Sequence, residues 1–263
     1  MANTISFVDA AINANRDNFI LKTSAWAKAD PLFSVVELDG ATAVFSGSSS
    51  DTFNVLALAR DTKRPAFDII DEARNTVFSE NRFAVWSWQD GQLQALPVDK
   101  TAIEENLIMA CENDGLAKIP ASRKPLDVTP VREPMHLMDV GAVIASIFGE
   151  QEEGFMIQSV FAGQDENSIE KLPVQYLLAY QDGKAVATGS FIKDGSHAGI
   201  YDIAVLPDMQ TNGLGSRMFD AVVKAATRGG LQGLSLQASV DGAGIYTRAG
   251  FENLGTCWCL NIS

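Results

Sequence analysis

Ile200-Tyr-Asp-Ile-Ala-Val-Leu-Pro-Asp-Met-Gln-Thr-Asn-Gly-Leu-Gly-Ser216 reads as a strand that runs into a glycine loop and then into a helix. Tyr201 to Leu206 is apolar and β-branched enough for a buried strand, and Pro207 ends it because proline has no N–H for the ladder. The helix starts near Asn212. Leu214, Met218, Phe219, Val222 and Ala226 then recur at three-to-four spacing until Gly229-Gly230 stops it. The first turn of such a helix has N–H groups without intrahelical partners, and its dipole adds partial positive charge. A phosphate is therefore stabilised there without any lysine. Gly213 and Gly215 let the backbone come close.

Two familiar nucleotide loops do not fit. No Gly-Lys-Ser/Thr follows, so the P-loop with its phosphate lysine is absent. Counting Gly-x-Gly-x-x-Gly from Gly213 puts Met218 where the dinucleotide fingerprint needs a small residue. What fits is Gln210-Thr-Asn-Gly-Leu-Gly215, which resembles the Gln/Arg-x-x-Gly-x-Gly/Ala loop of the GCN5-related N-acetyltransferase (GNAT) superfamily. Upstream, Gly199 to Pro207 resembles that family's central fourth strand. Downstream, Leu234-Ser-Leu-Gln-Ala-Ser239 reads as the fifth strand, and Gly242-Ala-Gly-Ile-Tyr-Thr-Arg-Ala-Gly-Phe251 resembles the closing signature Gly-x-x-Leu-Tyr-x-x-x-Gly-Phe.

The resemblance implies an α/β (α+β) chain with the GNAT fold, a mixed, mostly antiparallel central sheet flanked by helices. It implies acetyl-coenzyme A as cofactor, its pyrophosphate held by Gln210, Thr211, Asn212, Gly213, Leu214, Gly215 and Ser216. The pantetheine arm would pair with the backbone of Ile203, Ala204 and Val205. Chemistry in the family is direct transfer: a neutral amine attacks the thioester, so a base must take a proton and an acid must supply one to the leaving thiolate. Tyr246 stands at the family's general-acid position. Asp202, opposite in facing to Ile203 and Val205 by strand alternation, is the candidate base, directly or through water. Ser239 stands where many relatives carry asparagine, which puts a side-chain contact to the pantetheine in doubt. His197, in Asp194-Gly-Ser-His197, reads as a surface histidine rather than a base.

At 263 residues the chain has room for two ordinary domains, and 46% hydrophobic against 20% charged residues is a globular composition. No apolar run approaches the roughly 18 residues of a membrane span, and the amino terminus lacks a basic-then-apolar leader pattern, so a cytoplasmic protein without a membrane partner is expected. Cys111, Cys257 and Cys259 lack metal spacing and read as reduced core thiols. With only His136 and His197, no metal site is expected. The formal net charge is -13, and residues from Leu126 onward carry 8 Lys/Arg against 16 Asp/Glu. Nucleic acid is thus not an expected partner, and a cationic amine acceptor suits the field.

Lys118-Ile-Pro-Ala-Ser-Arg-Lys-Pro-Leu-Asp-Val-Thr-Pro130 has linker composition and divides the chain into residues 1–125 and 126–263. After it come a short strand within Val131–Met138, helices over Val140–Phe148 and Phe155–Phe161, and a hairpin of Gln175–Tyr180 and Ala185–Phe191 around Asp182-Gly183. The first half has a similar order. It comprises a helix over Phe7–Lys28, hairpin strands over Phe33–Phe45, a strand within Thr52–Arg60, a helix over Ala66–Phe78, a strand over Phe83–Trp88 and a helix over Thr101–Asn113. This looks like a degenerate second copy, as in tandem proteins of the family. Where the cofactor loop should be stands Arg60-Asp-Thr-Lys-Arg-Pro-Ala66, without glycine, so this half is expected to bind no coenzyme A. Trp86 and Trp88 read as core aromatics.

These observations predict an acetyl-CoA-dependent N-acetyltransferase acting on a primary amine of a small molecule or peptide. The alternative is a non-catalytic acyl-CoA-binding sensor. Neither the acceptor nor the oligomeric state is legible in the sequence.

Overall fold

The computed structural model describes residues 7–112, 124–149, 151–210 and 213–263. The first half contains α1 (Phe7–Ser24), α2 (Trp26–Ala29), β1 (Ser34–Leu38), β2 (Ala41–Phe45), β3 (Val55–Leu58), α3 (Ala66–Ala73), β4 (Phe83–Ser87) and β5 (Ile103–Glu112). There follow β6 (Thr129–Pro130), α4 (Pro134–Ala145), α5 (Glu152–Ala162), α6 (Glu166–Lys171), β7 (Gln175–Gln181), β8 (Lys184–Asp194) and β9 (His197–Val205). The chain closes with α7 (Leu214–Ala226), β10 (Gly233–Ser239), α8 (Ala243–Arg248) and β11 (Glu252–Ile262).

Two compact units result. One comprises Met1–Ala27, Leu32–Cys111 and Ser235–Ser263, the other Lys28–Pro31 and Glu112–Leu234. The segment Ser235–Ser263, which the linker composition groups with the second half of the sequence, therefore packs within the first unit. The reason lies in pairing: β11 is antiparallel to β4 on one side and to β5 on the other, with Leu260 opposite both Val85 and Ile103.

In the first unit the strands run in the order β1-β2-β3-β4-β11-β5, with β10 beside β5. β3 and β4 are parallel, while β1, β2 and β3 form antiparallel neighbours, so the sheet is mixed. The core is built on Phe78 and Phe83, stacked at 4.2 Å, with Leu56, Leu58, Ile69 and Leu93 fully buried around them. α3 continues into a π-helical turn at Arg74–Phe78, which carries Phe78 into that core. Trp88 is buried and donates from Nε1 to Asn15 Oδ1 at 2.9 Å, and Trp86 and Trp88 lie 4.8 and 5.2 Å from Phe19 of α1.

The helix expected over Thr101–Asn113 is instead β5. Ile108, Met109, Ala110 and Cys111 are all buried, and a continuous apolar run of this length has the same signature in a two-sided strand as in a buried helix. Its neighbours β11 and β10 decide the matter through backbone pairing that local pattern does not encode.

In the second unit the order is β9-β8-β7-β6, all antiparallel. The β7–β8 hairpin turns at Asp182 (φ 52) and Gly183 (φ 77), the two left-handed residues that a tight primed turn requires. The first strand is shorter and earlier than expected: it is Thr129–Pro130, and Pro134 opens α4 at its first position, where a missing N–H costs nothing. α6, which the sequence pattern does not mark, is capped by Asp165, whose Oδ1 accepts from the Ser168 N–H at 2.8 Å. α7 buries Leu214, Met218, Phe219, Val222, Val223 and Ala226, the face the sequence spacing predicts plus Val223. It sits so close to the sheet that a Cβ on Gly189 would lie 2.6 Å from Ile203 Cδ1 and 2.8 Å from Val222 Cγ2.

Candidate functional site

β9 ends as β-branched and apolar residues yield to Pro207, and Pro207–Met209 forms a single 3-10 turn. Gln210 folds back, and its Nε2 reaches the Val205 carbonyl at 3.4 Å. Gly213 precedes α7 in the left-handed conformation (φ 68), which a residue with a Cβ adopts only at a cost. Apart from its chain neighbours, no described residue stands within 4 Å of where its Cβ would be, so the backbone, not crowding, is what requires glycine here. A Cβ on Gly215 would make only an ordinary contact with Val205 Cγ2 at 3.7 Å. Among the described residues no side chain caps this helix end. The N–H groups of Leu214, Gly215 and Ser216 in the first turn are accordingly set to take an anion. Thr211 and Asn212, also expected in the loop, lie outside the described residues.

A second feature sits eight residues upstream of Gln210. Thr188 pairs with Ala204 and Ser190 with Tyr201, so Gly189 alone faces both Asp202 and Ile203. This is a β-bulge, and Asp202 occupies its left-handed position with φ 55. The two bulged side chains go to opposite faces. Ile203 lies with Val222 and Met218 of α7 around Gly189. The Asp202 carboxylate accepts a 2.6 Å hydrogen bond from Ser190 Oγ. Tyr176 pairs with Ser190 on the same face and packs edge-on against Phe161 of α5 at 5.6 Å. Burial first, and the nearby Asp202 charge second, push the Tyr176 phenol well above its ordinary range. Asp202 thus has one oxygen held by a fully buried serine while the residue itself is only half-buried.

Ser190 and Tyr176 are the partners that sequence reasoning missed. The signal was present: a serine after Thr-Gly in the otherwise apolar run Ala185–Phe191, and a glycine inside a strand, which marks a bulge or a close approach.

Tyr246 belongs to the other compact unit, on α8, where its carbonyl accepts from the Ala249 and Phe251 N–H groups, each at 3.0 Å. Its ring is half-buried, and burial raises the phenol above its ordinary value, so at neutral pH it carries its proton. Ser239 Oγ accepts from the Gly242 N–H at 3.1 Å and so shapes the turn into α8. Asp202, Ile203, Ala204, Val205, Gln210 and Gly213–Ser216 fall together in the second unit. His197 Nδ1 is 3.2 Å from Ser196 Oγ.

The counterpart of the loop in the first unit has different contents. Arg60 Nη1 donates to Asn13 Oδ1 at 2.8 Å and Nη2 to Asp9 Oδ1 at 3.1 Å. Arg64 Nη1 lies 2.7 Å from Glu72 Oε2. Arg16 Nε donates to the Leu58 carbonyl at 2.9 Å.

Residues 143–251 match the family model described as Acetyltransferase (GNAT) family. No curated protein matches the chain. Among solved structures, a GCN5-related N-acetyltransferase from Kribbella flavida superposes with a TM-score of 0.64 at 14% identity, over 95% of each chain. A tandem GNAT protein from the clavulanic acid biosynthesis pathway, solved without AcCoA, gives 0.56 at 13% identity over 95% of each chain. A GCN5-related N-acetyltransferase-like protein from Streptococcus suis 89/1591 gives 0.56 at 9% identity, over 95% of this chain and 100% of that one. At these identities the likeness establishes the fold, here a two-domain GNAT arrangement.

Proposed function

We infer from a chain that belongs to the GCN5-related N-acetyltransferase superfamily, its family domain at residues 143–251, that this protein transfers an acetyl group from acetyl-CoA to a primary amine of a small molecule or peptide. The observation that carries the reading is the run from a bulge-held carboxylate at Asp202 on β9 to the glycine-led helix that opens after Gly213.

The residues present fit the cofactor. A diphosphate suits the N–H groups of Leu214, Gly215 and Ser216 together with the left-handed Gly213, with Gln210, Thr211 and Asn212 completing the loop. The backbone of Ile203, Ala204 and Val205 takes the amide-bearing arm. When bound, acetyl-CoA supplies a thioester carbonyl open to direct attack by a neutral amine. Asp202 removes the proton from the incoming ammonium, directly or through one water, and the Ser190 hydrogen bond orients its carboxylate. Tyr246 returns a proton to the departing thiolate. That role rests on its place in the closing motif and on its protonated state at neutral pH. The acidic balance of residues 126–263 favours a cationic acceptor over nucleic acid. No helix among the described residues is long and apolar enough to cross a membrane.

Calorimetry with acetyl-CoA on wild type and Gly213→Glu tests the cofactor, and an acetyl-transfer assay over an amine panel tests the reaction. Binding weakened about 100-fold in the variant, with turnover in wild type that falls in Tyr246→Phe at little change in cofactor affinity, is expected. Binding without transfer to any amine would favour the sensor, and no binding would overturn the cofactor.

A further inference from the structure

Five of the eight lysines and arginines downstream of Leu126 line one cleft of about 1110 Å³ in the second unit: Arg132, Lys193, Arg217, Lys224 and Arg228. Only Asp127 and Asp220, two of the sixteen carboxylates in the same stretch, join them there. A region with twice as many acids as bases has thus gathered most of its positive charge around a single opening. Among the described residues none of the five forms an ion pair. Lys193 Nζ donates to the Arg228 carbonyl at 2.7 Å, and Arg217 donates to the Lys124 and Pro125 carbonyls at 2.8 and 3.2 Å.

The dipole of α7 accounts for part of this, since Lys224 and Arg228 lie at its C-terminal end. It does not account for Arg217, which stands in the first turn where a cation is disfavoured, nor for Lys193 on β8 or Arg132 before α4. Between the charges the walls are partly apolar, formed by Leu126, Val128, Leu172, Phe191, Val223 and Leu231 beside the polar Gln175 and Thr227. Lys193 Nζ lies 5.9 Å over the Phe191 ring, which places a charge at the edge of that apolar surface. The volume is at the upper end of small-ligand sites, which run to about 1,000 Å³. None of Gln210, Gly213, Leu214, Gly215 or Ser216 lines it.

We propose that this cleft binds an amphipathic organic anion, an apolar chain or ring system that ends in a carboxylate or phosphate, at a site separate from the glycine loop. The apolar walls take the body and the unpaired cations take the head group.

The test is calorimetry of the full chain with decanoate, decyl phosphate and decyltrimethylammonium, each below its micelle concentration. The proposal expects both anions to bind at one per chain and the cation to bind about tenfold more weakly or not at all. Lys224→Glu/Arg228→Glu, two exposed positions, should weaken decanoate about tenfold and leave acetyl-CoA affinity unchanged. Should the double variant not fold, the wild type still decides: raising salt from about 50 to about 500 mM must weaken decanoate. Equal binding of all three probes, no binding of the anions, or a decanoate affinity indifferent to the charge reversal or to salt would overturn it. Displacement of decanoate by acetyl-CoA would overturn the separateness of the site. Failure of acetyl-CoA to bind would leave the cleft untouched and strike only the cofactor assignment.

Discussion

At the end of β3 the chain reaches a helix through Ala59–Pro65, and at the end of β9 it reaches one through Leu206–Gly213. The order of elements is the same, yet the two connections differ in what satisfies the backbone. In the first, side chains of the protein itself do so: Arg16 bonds the Leu58 carbonyl, Gln92 Nε2 bonds that of Ala59 at 3.3 Å, and Arg60 is tied to Asp9 and Asn13. In the second, Gln210 makes one long bond to Val205, glycine leads the helix, and among the described residues no side chain caps it. A loop becomes able to hold a phosphate by leaving its donors uncommitted, and it loses that ability when arginines and carboxylates close over it.

The comparison can be broken most sharply at Asp202 on β9, since β3, the strand that leads into the first connection, has no carboxylate. Asp202→Ala should lower kcat by about 10²- to 10⁴-fold, while Ser190→Ala, which removes only its anchor, should lower it less, and single-turnover kinetics separate the two. Gly213→Glu comes next. Both the left-handed backbone and the added negative charge oppose a phosphate, and acetyl-CoA affinity should fall about 100-fold by calorimetry. Arg60→Ala should leave that affinity unchanged and create no second coenzyme site, because Arg60–Ala66 also has no glycine to let a phosphate approach; new binding would show that the arginine alone closes the loop.

Stability gives the smaller effects. Gly189→Ala puts a methyl 2.6 Å from Ile203 Cδ1, so chemical denaturation should show a loss of about 1–3 kcal/mol. Arg60→Ala removes a part-buried charged pair, worth about 1 kcal/mol in the same measurement. Alkali separates the units themselves. Burial pushes the Cys257 thiol, in the first unit, up to about 12 from 9.0. The unfolded chain releases that proton first, so stability is full below pH 9 and declines as pH rises towards 12, by at most about 1.4 kcal/mol per pH unit. Tyr176, raised from 10.0 in the second unit, adds its own decline only above pH 10. Thermal melts of Cys257→Ala between pH 8 and pH 10 should show the earlier part of the slope reduced.

The sequence was most legible where one residue type carries a backbone constraint. Gly213 and the Asp182-Gly183 turn supply left-handed φ and Pro207 fixes φ and removes a donor, and each stands where the pattern predicted. It was least legible where the outcome depends on distant pairing. β5 reads as a helix because its neighbours β11 and β10 come from the far end of the chain. The compact units do not follow the composition boundary near residue 125 for the same reason. At the site, Asp202 was visible as an acidic residue in an apolar strand. Its positive φ and its bond to Ser190 were not, since both arise from the pairing of β8 with β9 around Gly189.

The place of β11 between β4 and β5 also sets a timetable. As the chain leaves the ribosome, the first unit has its early strands in hand but no partner for the facing edges of β4 and β5 until the last strand is made. All of Glu112–Leu234 is synthesised in the meantime. The second unit can therefore finish before the first, and it is the older part of the nascent chain that must wait, with unpaired strand edges open to chaperones or to misassociation.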